Sequence, residues 1–228
     1  MSDLNHLATI GGTLTLSFWS EDERVFTEAR RDAWAKTFKH WKLIVEMYQG
    51  ITDDLAWWNT ETSGVSLLAS AIWKADTGVA LQEFPAVRWG DGGRPRGRAD
   101  LWATVGGASY LLEAKRQWLN AASRSPGDLL AAGLENAVRE AKSYLEHHDF
   151  RGGILFAPVF SRIVVPDPEH LIAWRKQAAV SFPKVAGHGV IAEYFPSLSD
   201  DQIYHEAEDE YHPGTLIVLG FDPKPKKS

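Results

Sequence analysis

The spacing of apolar positions changes several times along the chain, and each change marks an element. Residues Thr9–Trp19 alternate, with Ile10, Leu14, Leu16 and Phe18 apolar, which predicts a strand. From Glu21 to about Tyr48 the apolar residues Val25, Ala29, Trp34, Phe38, Trp41, Val45 and Tyr48 recur at threes and fours, apart from one five-residue step, and predict a helix. A second helix is predicted over Thr60–Ala75 and an extended segment over Val79–Trp89, followed by a Gly-rich loop at Gly90–Gly97. Asp128–His147 has helical period, with Leu130, Leu134, Val138, Ala141 and Leu145 on one face and Asp128 as the expected N-cap. Gly153–Phe160 reads as a short buried strand interrupted by Pro158, Asp167–Ala179 as a helix, and Gly189–Phe195 and Thr215–Phe221 as strands. Asp201–Glu210 holds five acids and no Lys or Arg, the composition of a solvated helix or loop. The central order is helix, three strands, helix, strand, which predicts an α/β protein with a mixed sheet flanked by helices.

One segment has a pattern that carries chemistry. Ala99–Val105 and Ser109–Lys115 alternate on either side of Gly106-Gly107, the signal of a two-residue hairpin turn. Such a turn sets Val105 opposite Ala108, Thr104 opposite Ser109 and Asp100 opposite Glu113. Ala99, Leu101, Ala103, Val105, Ala108, Tyr110, Leu112 and Ala114 then share one face, nearly all apolar. Arg98, Asp100, Trp102, Thr104, Ser109, Leu111, Glu113 and Lys115 share the other. A slip of one residue would turn the acids toward the core, so the alternation fixes the register. Directly opposed residues have Cβ atoms ~4.5–5.5 Å apart, and like charges so placed repel unless something compensates. Lys115, on the same face, is one candidate, and a divalent cation is the other. Two carboxylates with nearby carbonyls are hard oxygen donors of the kind Mg²⁺ or Mn²⁺ prefers.

Composition narrows the picture without changing it. The chain has 228 residues, 44% of them apolar and 24% charged, and is expected to fold as one domain over residues 1–228. It has no cysteine, which excludes disulfides, thiolate metal sites and a Cys nucleophile. No segment approaches the ~20 apolar residues that span a bilayer, so no membrane partner is expected. Asp3 stands where a signal peptide would carry a base, and a cytoplasmic protein is the simplest reading. The net charge of −6 excludes a wholly basic nucleic-acid coat, yet Arg88–Arg124 holds seven bases and three acids. A basic centre in an acidic chain suggests that an anion is handled there. Arg94, Arg96 and Arg98 in the loop, with Arg116 and Arg124 further on, are the candidate phosphate contacts. Trp102 and Trp118 could stack on bases, although core packing is the simpler role for each. No P-loop and no Gly-x-Gly-x-x-Gly after a strand is present, which disfavours nucleotide hydrolysis. His205 and His212 lie near many acids without recognisable ligand spacing.

Asp100 at the head of one strand, and Leu111-Leu112-Glu113-Ala114-Lys115 at the end of the next, resemble the motif of the PD-(D/E)XK nuclease superfamily. The resemblance covers roughly Thr60–Phe160, under half the chain, and has Arg98-Ala99-Asp100 where the family's name would lead to Pro-Asp. It implies a restriction-endonuclease-like core at about 60–160, with additions at both ends, and metal-dependent phosphodiester hydrolysis on nucleic acid, DNA being the expected substrate. Asp100 and Glu113 would bind Mg²⁺ or Mn²⁺, and Lys115 would assist the attacking water. The family also tends to place a Glu on the helix before the sheet. Glu61 is the candidate, sharing a helix face with Val65, Leu68 and Ile72, and Glu83 is its rival. A homodimer or partner subunit is compatible with the resemblance, as is a role in restriction or phage defence. A catalytically inactive nucleic-acid-binding or protein-interaction module on the same fold is the alternative.

Overall fold

A computed structural model describes residues 7–10, 14–22, 25–87, 97–144, 148–162, 182–196, 203–205 and 209–223. The expected helix over Asp167–Ala179, most of the basic loop with Arg94 and Arg96, and half of the acidic stretch 201–210 lie outside them.

The expected first strand is two strands, β1 (Leu7–Ile10) and β2 (Leu14–Ser20), paired antiparallel with Ile10 opposite Leu14. Helix α1 (Glu28–Thr52) begins seven residues later than the period implied. Its Trp34, Phe38, Trp41 and Val45 are buried, as the spacing required. Helix α2 (Glu61–Lys74) follows, its Thr60 side chain accepting the Ser63 amide at 3.3 Å as an N-cap. Strands β3 (Ala80–Ala86), β4 (Gly97–Val105) and β5 (Ala108–Arg116) come next, with a short β6 (Leu119–Asn120). Helix α3 (Pro126–Ala141) has Ser125, not Asp128, at its N-cap position, without a side-chain cap bond; Asp128 lies in its first turn, where a carboxylate suits the helix dipole.

Strand β7 (Phe150–Ser161) runs through Pro158 without interruption. Its β5 partners end at Phe156 and its β6 partners begin at Val159. Pro158 therefore faces the break between β5 and β6, where its missing N–H leaves no ladder bond unmade. Strands β8 (His188–Tyr194), β9 (Tyr204–His205) and β10 (Glu210–Pro223) complete the described sheet.

The strand order is β1-β2-β8-β10-β7-β5-β4-β3, with β6 beside β7 and β9 beside β10. Pairing is antiparallel throughout, except that β5 and β6 run parallel to β7. Parallel neighbours need a crossover, and α3 supplies it. The fold is thus α/β with a mixed, mostly antiparallel sheet. One core cluster joins α1 and α2 to Leu101, Ala103, Val105, Tyr110, Leu112 and Ala114. A second joins Leu130, Leu134 and Val138 of α3 to Leu155, Ala157, Val159, Leu216 and Val218. Among the described residues no helix is long and apolar enough to cross a membrane.

Candidate functional site

The β4–β5 turn is built on Gly106 and Gly107, with φ of 57° and 77°. Two successive positive φ values are what a two-residue hairpin turn demands, and glycine adopts them without steric cost. The register is the one the alternation required, from Val105 opposite Ala108 to Leu101 opposite Leu112. There the ladder stops. Asp100 and Glu113 are the next position along, so the two acids stand where the strands part.

The parting leaves amides of β5 without strand partners, and a buried amide needs an acceptor. Two carboxylates supply them. The Ala114 N–H donates to Asp100 Oδ2 at 2.7 Å. The Arg116 N–H donates to the Glu61 carboxylate, which arrives from the first turn of α2. Asp100 and Glu61 thus occupy the wedge that β4 vacates, bonded to amides on either side of Lys115. Amide bonds to ionised carboxylates are charge-assisted and fix the carboxylates well. The other edge of β4 is irregular at the same point. β3 pairs through Gln82 opposite Leu101 and Phe84 opposite Ala99, with Glu83 between them at φ 50°. Glu83 turns out to solvent and meets the exposed Arg98 at 3.3 Å. Of the two candidate third acids, Glu61 is the one brought to Asp100 and Lys115.

Glu113 is buried, at 3% exposure, and its Oε1 contacts the hydroxyl of Tyr144. Lys115 Nζ lies 2.8 Å from Glu140 Oε2, on the last turn of α3. Burial alone would lower the Lys115 pKa. The hydrogen bond and charge of Glu140, with the charges of Glu61 and Glu113, outweigh it and hold the ammonium above the usual lysine range. Burial pushes the Glu61 carboxyl above the usual carboxylate range; the Asp100 charge adds to this, and the Lys115 charge and the Arg116 amide oppose it. The site is therefore a cationic ammonium ringed by acids.

The candidate phosphate contacts separate. Arg98 is 71% exposed at the side chain, and Arg124 is exposed in the segment before α3. Arg116 is turned inward. Its guanidinium donates to the Trp58 carbonyl and stacks 4.1 Å from the Trp118 ring centroid, and burial lowers its pKa. Trp118 in turn packs against Trp58 and His212, the latter fully buried. Trp102 stacks on Phe84 at 5.6 Å and meets His148 through its Nε1 at 3.2 Å.

Sequence reasoning did not single out Glu140 and Tyr144. They are four apart near the end of α3, and the available signal was a polar pair beside an apolar helical stripe.

The donor set is hard oxygen, the class that suits Mg²⁺ or Mn²⁺. Among the described residues no three His, Asp or Glu side chains gather into a metal-holding group. Mg²⁺ is commonly held by one or two carboxylates, with waters and substrate phosphate completing the shell, and the wedge carboxylates fit that mode. No protein-family model matches the chain, and it matches no curated protein and no solved structure.

Proposed function

We propose that the protein is a divalent-metal-dependent nuclease on a restriction-endonuclease-like core, with its reactive centre in the wedge between β4 and β5. The observation that carries this reading is the convergence of Asp100 and Glu61 on the Ala114 and Arg116 amides, with Lys115 between them. Such an arrangement holds like charges together at a cost in stability, which a purely structural surface does not require. The order from Glu61 to Ser161, helix, three long strands and the two-residue β6, helix, strand, supports the same reading.

Asp100 would hold Mg²⁺ or Mn²⁺ with one further carboxylate, Glu113 or Glu61, waters and phosphate completing the shell; the ion when bound polarises the phosphate and lowers the pKa of water. Lys115 is an ammonium under ordinary conditions, so its role is to orient the attacking water and to stabilise charge on the phosphate, not to take a proton. Arg98, with Arg94, Arg96 and Arg124, would hold the flanking backbone, and DNA is the proposed substrate.

The test is cleavage of plasmid, linear and single-stranded DNA with Mg²⁺, Mn²⁺ or EDTA. Asp100→Ala is expected to abolish cleavage in the molecules that stay folded, at a cost in stability from the Ala114 amide it leaves without an acceptor. Lys115→Ala is expected to keep metal binding and lower the rate by ~10²–10⁴, the usual range for a positioned catalytic group. Cleavage that persists in EDTA, or a folded Asp100→Ala that cleaves like wild type, would overturn the reading.

A second reading, a nucleic-acid-binding module without catalysis, is favoured by Lys115 being engaged by Glu140 and by the lack of a three-ligand group among the described residues. Salt-dependent DNA binding with no cleavage under any of these conditions would select it.

A further inference from the structure

Tyr144 lies three residues past the end of α3 and is fully buried. Its ring packs in a small cluster with Ala86, Ala99 and Leu111, on the sheet face that α3 covers. Its hydroxyl has two acceptors within reach: the Arg98 carbonyl, at 2.6 Å, and Glu113 Oε1. One belongs to β4 and the other to β5. The hydroxyl has one proton and donates it to one acceptor at a time; given to Glu113, it reaches β5 just where the backbone ladder of the two strands ends. Solvation of a buried tyrosine hydroxyl needs only one acceptor. With its proton directed to Glu113, the hydroxyl fixes the direction of a carboxylate that has three rotatable bonds and little access to water.

Resting on the nuclease reading above, we propose that Tyr144 is a positioning residue that holds the Glu113 carboxylate in the orientation in which it serves as a ligand for a divalent cation. It touches the ligand, not the reacting atoms. Groups that orient metal ligands in this way typically change metal affinity or activity by ~10–100-fold when removed.

The experiment measures Mn²⁺ binding to the full chain without nucleic acid, by the electron paramagnetic resonance signal of free Mn²⁺. Tyr144→Phe is expected to weaken binding by ~10–100-fold. Tyr110→Phe is the control for burial alone, because Tyr110 is equally buried on the opposite face of β5, where its hydroxyl accepts from Trp34 Nε1 at 3.4 Å. It is expected to lower the melting temperature and leave Mn²⁺ affinity unchanged. In a Glu113→Gln background, Tyr144→Phe should add no further loss of affinity. If folded Tyr144→Phe binds Mn²⁺ like wild type, the positioning role is wrong and the nuclease reading stands. If wild-type protein binds no Mn²⁺, the nuclease reading falls and this role falls with it. A measurement on the wild-type chain removes dependence on the variant's folding. With its six tyrosines replaced by 3-fluorotyrosine, the ¹⁹F resonance that Mn²⁺ broadens most must also shift on adding Mg²⁺. No shift at that resonance would overturn the proposal.

Discussion

At the scale of single residues, the wedge is a place where the chain accepts electrostatic cost. Glu61 is the clearest case. Its pKa is raised, so between the unfolded and folded values the native state binds more protons than the unfolded chain. Stability therefore falls as pH rises through that window, and ionised Glu61 is a liability at neutral pH. Glu61→Gln keeps an acceptor for the Arg116 amide and removes the charge. Thermal melts in EDTA should show the variant ~1–3 °C more stable than wild type at pH 7–8, with the gap closing toward pH 4. In the cleavage assay the same variant should be inactive. A site that gains stability as it loses function is the signature of a functional group, whereas loss of both would make Glu61 structural. The residues of this site were legible in the sequence to the extent that local pattern fixes them. Alternation set Asp100 and Glu113 at one register position, and the four-three-four spacing of Glu61, Val65, Leu68 and Ile72 set Glu61 on the core-facing stripe. Tyr144 and Glu140 were not legible, because their partners lie 31 and 25 residues away across a helix–sheet contact. Arg116 reads as a surface cation in the sequence. Only the approach of the 3₁₀ turn Ala56–Trp58 shows that its guanidinium is enclosed.

At the scale of elements, the position of α3 decides whether Glu140 and Tyr144 can reach β5. α3 packs against β7 at Gly153, which stands opposite Glu113 in the parallel ladder. A Cβ at Gly153 would lie 2.5 Å from Ala137 Cβ and 2.9 Å from the Val138 amide. Gly153→Ala should therefore push the helix outward and destabilise the protein by about 1–3 kcal/mol, the usual cost of overpacking. Chemical denaturation measures that cost. If α3 positions the site, cleavage by the folded variant should fall further than its folded fraction explains. Several elements were readable from pattern: α2 keeps a helical period, β4 and β5 alternate up to the point where their ladder ends, and β7 is an apolar run buried on both faces. The misreadings have local causes. The alternation across Thr9–Trp19 continues through Gly11-Gly12, so the break between β1 and β2 left no mark in it. Val25 continues the helical spacing, yet α1 starts only after the turn that ends at Thr27.

At the scale of the whole molecule, the charge distribution predicts two behaviours for the arginines. Replacing Arg94, Arg96 and Arg98 together with Ala should weaken DNA binding and reduce its salt slope by ~0.9 for each phosphate no longer neutralised. Replacing Arg116 should leave the slope unchanged and lower the melting temperature, because its guanidinium is committed to the Trp58 carbonyl and the Trp118 ring. Binding titrations across a salt series, with melting curves beside them, separate the two. An equal change in slope would return Arg116 to the phosphate-binding surface. The sheet order has a consequence for how the molecule assembles. Strand β10, last in sequence among the described strands, lies between β8 and β7 and among those strands is the one sheet link between β1-β2-β8 and β7-β5-β4-β3. The half that carries Asp100, Glu113 and Lys115 closes through pairings of short sequence separation, within residues 61–161. Strand β2 waits for a partner more than 160 residues away. Closing loops of that length early costs chain entropy with little packing in return, so the order of events is set by topology. The wedge half can form while the chain is still emerging from the ribosome, and β2 and β8 can join its sheet only once β10 has been made.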